Sequence, residues 1–220
     1  MENYKIIEVK ENLLADNEKR ALELREKLKD KDVYLINVMA SPGSGKTTLL
    51  INLINRLKKD YHIGVIEADL DGDVDAARIH EQTGVKTMQI NTCGTCHLTA
   101  QMVDDAINNF DIDGLNIIFL ENVGNLVCPA EFDTGSNMNL VLLSVPEGDD
   151  KPLKYPLMFE ISNVVAITKI ETAKVFKFDF EKSHQNILKR QPNAKVFELS
   201  AIKDEGVEEL EQYLRKAIGQ

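Results

Sequence analysis

The chain has 220 residues and a mass of 24.7 kDa, room for one α/β domain with a proper core at the usual size of roughly 100–200 residues per domain. Asp plus Glu is 36 against 26 Lys plus Arg, a net charge of −10, which excludes a nucleic-acid-binding face built on clustered basic residues. Apolar residues at 43% exclude a disordered chain, and no apolar run nears the roughly 20 residues that span a bilayer.

Met1-Glu2-Asn3-Tyr4-Lys5 lacks the basic-then-apolar pattern of a signal peptide, and three cysteines are too few for a disulfide framework. Both features point to a reducing, cytoplasmic setting, with no membrane partner.

The stretch from Ile7 to Asp30 is highly charged, with a narrow apolar stripe at Leu13, Leu14, Ala21, Leu24 and Leu28. The spacing predicts one helix or two short ones. Residues 1–32 are therefore read as an N-terminal helical segment, lying on the domain or serving an oligomer or partner contact.

Past Asp32, short apolar runs alternate with amphipathic ones. The runs are Val33–Met39, Ile63–Ala68, Val85–Ile90, Leu115–Leu120, Leu140–Val145, Asn163–Thr168 and Lys195–Leu199. They are rich in Ile, Val and Leu and mostly non-alternating, as expected of strands buried on both faces of a parallel sheet. Helices are predicted over Thr47–Lys59, Val74–Thr83, Leu98–Phe110, Phe178–Lys189 and Val207–Ala217. The fold class is α/β: residues 33–220 form one domain, a mostly parallel sheet of about seven strands with helices on both faces.

Between the first strand and its helix lies Ala40-Ser41-Pro42-Gly43-Ser44-Gly45-Lys46-Thr47. This is a Walker A loop with Ala40 at the first glycine position, and it makes the domain a P-loop NTPase. Gly43 and Gly45 let successive backbone N–H groups turn toward a β-phosphate at a helix N-terminus. Ser44 and Thr48 belong to the same nucleotide-binding loop. Lys46 supplies a point charge to the β/γ oxygens, and the Thr47 hydroxyl is placed to ligate Mg²⁺.

The strand Ile117–Leu120 ends in Glu121-Asn122-Val123-Gly124, like a Walker B strand with Glu121 where Asp is commoner. Gly124 is positioned for its N–H to sense a γ-phosphate. A second acidic strand end, Glu67 to Asp75, carries five carboxylates. Within it Asp69 is the candidate for the Mg²⁺ shell, Asp75 for positioning water, and Asp73 for a helix N-cap. The expected catalytic residues are thus Lys46, Asp75 and Gly124, with Thr47, Asp69 and Glu121 around magnesium.

Thr168-Lys169-Ile170-Glu171 stands where GTPases carry N-K-x-D. Glu171 keeps the double acceptor for guanine N1–H and N2–H₂, the Lys169 stem covers the ring, and Thr168 keeps only a hydroxyl. Ser200-Ala201 after the last strand matches the loop that contacts the guanine oxygen. Both signature positions are altered, so relaxed GTP/ATP specificity stays open.

All three cysteines fall in two places, Cys93-Gly94-Thr95-Cys96-His97 and Cys128, on loops expected at one sheet edge. Thiolate with imidazole suits Ni²⁺, Zn²⁺ or Cu and disfavours Mg²⁺ or Ca²⁺. A helix opening at this point would lower the thiol pKa. Two other readings stay open: a C-x-x-C redox pair, and inert buried cysteines.

Several stretches together resemble one family, the hydrogenase maturation GTPases HypB. They include Ser41–Thr48, Asp75–Ile79, Cys96-His97-Leu98 with Ala100-Gln101-Met102, Glu121–Ala130 and Glu147–Pro156. Asn12–Asn17 is similar to the family's leading helix. The resemblance implies a SIMIBI-class fold, slow GTP hydrolysis with Mg²⁺, and a GTP-dependent homodimer. It also implies nickel held by Cys96, His97 and Cys128, the metallochaperone HypA as partner, and the large subunit of [NiFe]-hydrogenase as client.

Cys93 departs from the family pattern and would add a fourth ligand. No C-x-x-C-G-C motif or histidine-rich tract is present, which argues against high-capacity nickel storage. A nucleotide-switched metal-storage or sensing protein is the reading from another class. A kinase with the same loop would need a lid of several arginines, and here they are scattered.

Overall fold

The computed structural model describes residues 9–70, 72 and 74–219, with side chains from residue 12 onward. Asp71 and Asp73 lie outside the described residues, and the N-cap expected of Asp73 with them. In chain order the main elements are α1 (Val9–Asp30), β1 (Tyr34–Ala40), α2 (Lys46–Leu57), β2 (Ile63–Asp69), α3 (Val74–Thr83), β3 (Lys86–Asn91), α4 (Ala100–Phe110) and β4 (Ile117–Glu121). There follow α5 (Cys128–Glu131), β5 (Met138–Ser144), α6 (Lys151–Lys154), α7 (Pro156–Glu160), β6 (Val164–Thr168), α8 (Ala173–Phe176), α9 (Phe180–Arg190), β7 (Lys195–Leu199) and α10 (Val207–Ile218).

The seven strands form one sheet in the order β3-β2-β4-β1-β5-β6-β7, and every ladder is parallel. The apolar strand runs have their cause here. β1 and β4 are flanked by strands on both sides and covered by helices on both faces, so nearly every one of their residues is buried. Successive β1 residues divide between two cores. Ile36, Val38 and Ala40 pack with Leu49, Leu53 and Leu57 of α2 and Leu210 and Leu214 of α10. Leu35 packs on the opposite face with Leu24 and Leu28 of α1 and Val103 and Ile107 of α4.

The leading helix is thus part of the body, its apolar stripe reduced to Ala21, Leu24 and Leu28 at full burial. Leu13 and Leu22 stay exposed. Parallel strands all deliver their C-terminal ends to one edge, where ligands bind in open α/β sheets. The C-terminal ends of β1, β2, β4 and β6 bring Lys46 at the start of α2, Asp69 at the end of β2, and Gly124 and Glu171 in the following turns to that edge.

Candidate functional site: a phosphate cleft beside a cysteine pair

The loop from Pro42 to Thr47 opens at the end of β1 onto a cleft of about 550 Å³. Ala40 ends the strand fully buried, and the left-handed turns fall three and five residues later, at Gly43 (φ 73°) and Gly45 (φ 95°). Gly45 precedes α2 directly, so a side chain there would be strained in the residue that starts the helix. Gly124 serves by closeness instead. A Cβ added to it would lie 3.1–3.2 Å from Pro42 atoms, two of them backbone, so any side chain there would push the loop after β4 away from the phosphate loop by a few tenths of an ångström.

Lys46, Asp69, Asp75 and Gly124 all line the cleft, and so does Arg78 of α3. Thr47 Oγ1 donates to Glu121 Oε1 at 2.9 Å, both groups buried. The second oxygen of Glu121 and one oxygen of Glu67 are buried with no hydrogen-bond partner. The β2–β4 register sets Glu67 directly beside Glu121.

Burial pushes the Glu67 carboxyl up to about 8, with repulsion from Glu121, Asp69 and Asp75 adding to it. Burial likewise pushes Glu121 up to about 7, while Lys46 and the Thr47 hydroxyl pull it down. The pair therefore carries protons near neutral pH. Orphaned, buried carboxylate oxygens beside a hydroxyl are the hard-oxygen donor set that Mg²⁺ takes, and the residues fit that ion. Asp69 contributes less directly, since its Oδ1 accepts the Leu70 N–H at 2.5 Å.

Glu67 was not among the residues singled out from the acidic run. A carboxylate two residues before Asp69 inside an apolar strand shares its face and is rarely buried without a purpose, and that was the available signal. Glu147 was missed as well. Its Oε2 accepts from Ser44 Oγ at 3.1 Å and from the Ser144 N–H and hydroxyl, tying the phosphate loop to the end of β5.

A smaller cavity of about 170 Å³ adjoins the cleft, walled by Thr168, Lys169, Glu171, Ala201 and Ile202. Lys169 sits in the left-handed region (φ 60°) and donates to the Gly43 carbonyl at 2.6 Å. The Thr168 hydroxyl donates to the Ser44 carbonyl at 2.8 Å, so this residue braces the phosphate loop. Glu171 keeps one buried oxygen without a partner. Ser200 supports the wall rather than forming it: it is buried, and its N–H donates to the Glu205 carbonyl.

At the same edge, Cys96 and Cys128 meet, their sulfurs 2.7 Å apart. The bond to Cys128 and burial push the Cys96 thiol up, against the expected lowering. The reason is local: α4 begins only at Ala100, so Cys96 lies in the loop before the helix and not in its first turn. His97 stacks on Phe132 at 3.9 Å between ring centroids, its Nδ1 buried and unpartnered. Burial lowers its pKa and holds the imidazole neutral, the form that ligates metal.

Cys93 is exposed, in a left-handed turn (φ 51°) whose N–H is taken by Asn91 Oδ1. Among the described residues, no three His, Cys, Asp or Glu side chains converge on a point that could hold an ion. The expected cluster of Cys93, Cys96, His97 and Cys128 thus reduces, within one chain, to the Cys96–Cys128 pair.

A glycine turn into a helix, a bond from Thr47 of that helix to Glu121 at the end of β4 and an adjoining side cavity together define a P-loop nucleotide-binding domain. The profile of the CobW/HypB/UreG nucleotide-binding domain matches residues 33–198. A Helicobacter hepaticus protein named hydrogenase/urease maturation factor HypB is 40% identical over 218 residues, 97% of this chain and 89% of that one. The crystal structure of HypB from Helicobacter pylori in complex with nickel superposes with a TM-score of 0.86 at 39% identity, over 92% of this chain and 95% of that one. HypB from Archaeoglobus fulgidus gives the same TM-score at 33% identity, over 93% of this chain and 99% of that one. The chain belongs to the CobW/HypB/UreG family, in its HypB branch.

Proposed function

We propose that this protein is a GTP-hydrolysing metallochaperone that binds nickel and delivers it during maturation of a nickel enzyme. The observation that carries the reading is the Cys96–Cys128 thiol pair, of which Cys128 lies seven residues past Glu121 of the phosphate cleft. Lys46 pairs with the β/γ oxygens, Thr47 and Glu121 hold magnesium, and Asp75 orients the attacking water. Magnesium, when bound, neutralises charge on the transferring phosphoryl group. Gly124 offers its N–H to the γ-phosphate and passes that contact to Cys128 along four residues of chain.

Glu171 accepts from the guanine edge in the side cavity while the Lys169 stem covers the ring. Two ligands per chain are too few to enclose a nickel ion, so a second copy completes the site, and His97 joins it once its ring turns off Phe132. This homodimer forms with GTP bound, and HypA supplies the metal. Zinc fits the same sulfur and nitrogen donors. Among the described residues no helix is long and apolar enough to cross a membrane, which is compatible with work in the cytoplasm. The client is the [NiFe]-hydrogenase large subunit, and the double name of the Helicobacter relatives favours urease as a second one.

The test is phosphate release from Mg·GTP with Mg·ATP as competitor. Slow turnover of GTP, unaffected by equimolar ATP, is expected. Equal turnover of the two nucleotides would overturn the role given to Glu171, since adenine offers its carboxylate no matching donor pair.

A further inference from the structure

The two segments that bring Cys96 and Cys128 together are held by one side chain from outside the site. Asn17 of α1 is 6% exposed. Its Oδ1 accepts the Ala100 N–H at 2.8 Å, where the Cys96 segment enters α4. Its Nδ2 donates to the Asp133 carbonyl, also at 2.8 Å, just past the helix that Cys128 opens. The loop after Cys128 is held to α1 a second time, because Arg25 grips both oxygens of Asp133 and donates to the Ser136 carbonyl. The Cys96 segment has further ties as well, since Arg20 of α1 donates to Gln101 and Asn125 donates to the Cys96 carbonyl at 3.4 Å. Asn17 is the α1 side chain that bonds both segments at once.

We infer that Asn17 is a positioning residue of the metal site, fixing the separation of Cys96 and Cys128 by bonding one amide to both of their segments. The inference rests on the reading of that pair as the nickel ligands. An amide is required because one bond needs an acceptor and the other a donor. Groups bonded directly to metal ligands typically cost about 10- to 100-fold in affinity when lost. Asn17 acts one step further out, on the backbone of the two ligand segments, so the lower end of that range is expected.

The experiment is a nickel(II) titration of the nucleotide-free full chain, following sulfur-to-nickel charge-transfer absorbance, with GDP affinity measured alongside. Asn17→Ala is expected to weaken nickel binding about tenfold and to shift the absorbance, with GDP affinity kept within about twofold. Asn17→Asp keeps the acceptor for Ala100 and loses the donor to Asp133, so it falls between Asn17→Ala and the native chain. Lys27→Gln loosens α1 elsewhere, at Asp104 and Asn108, and is expected to leave nickel affinity unchanged.

Native nickel affinity in Asn17→Ala, with binding lost in Cys96→Ser, would overturn the inference. If Cys96→Ser also binds nickel as the native chain does, the ligand assignment itself falls, and the role of Asn17 with it. Should Asn17→Ala not fold, Asn17→Asp decides alone, and a native titration curve contradicts the inference.

Discussion

Replacing Lys46 with alanine is expected to lower GTP turnover by roughly 10²–10³-fold, about 3–4 kcal/mol of transition-state stabilisation. Two effects add. The ammonium is the mobile positive charge of the phosphate loop, whose other donors are backbone N–H groups. It is also the main cation acting on the buried carboxylates, lowering the pKa of both Glu121 and Glu67. Without it both carboxyls shift further up, and a protonated Glu121 is a poor magnesium ligand. Turnover therefore falls through lost charge on the phosphates and through weaker magnesium binding together. Single-turnover phosphate release at two magnesium concentrations separates these effects, and a variant that hydrolyses GTP at the native rate refutes the phosphate-site assignment. The nucleotide-free variant should still bind nickel, since Lys46 does not touch the cysteine pair.

The second large effect is expected at Cys128. Cys128→Ser exchanges a soft sulfur for a hydroxyl that stays protonated and binds nickel poorly, so affinity should fall more than about a hundredfold. The substitution is close to isosteric, and the side chain opens a short helix at the surface of the domain, so the fold should survive. Equilibrium dialysis with Ni²⁺, checked against the circular dichroism of the variant, decides the matter. Native affinity in a folded variant would take the cysteine pair out of metal binding altogether.

The strands were legible because a two-sided parallel sheet needs uninterrupted apolar runs, and β1, β2, β4, β5 and β6 supply them. The phosphate loop was legible because Gly43, Gly45, Lys46 and Thr47 form a contiguous pattern with one chemical use. Glu67, Glu147 and Asn17 were not read as parts of a site, for a common reason. Each acts on a residue distant in sequence: Glu67 on Glu121, Glu147 on Ser44, Asn17 on Ala100 and Asp133. Strand order decides such meetings, and β4 lies between β1 and β2, an adjacency that chain order does not disclose.

The cysteines show the converse. Their positions place two cysteine-bearing loops at one edge, and the family resemblance adds His97 to Cys96 and Cys128. In the single chain the left-handed turn at Cys93 and the stacking of His97 on Phe132 leave two thiols in contact. Thr168 likewise sits in a base-reading position by motif yet spends its hydroxyl on the Ser44 carbonyl.

Coupling between the nucleotide cleft and the cysteine pair is the claim on which delivery rests. Its most direct test is a nickel titration of one preparation loaded with GDP or with a non-hydrolysable GTP analogue, with the oligomeric state followed in parallel. Nickel affinity or stoichiometry should differ between the two states as the dimer forms, and linkage then requires nickel to change nucleotide affinity by the same factor. Identical nickel binding in both states would contradict the account and leave the cysteine pair as a storage or structural site.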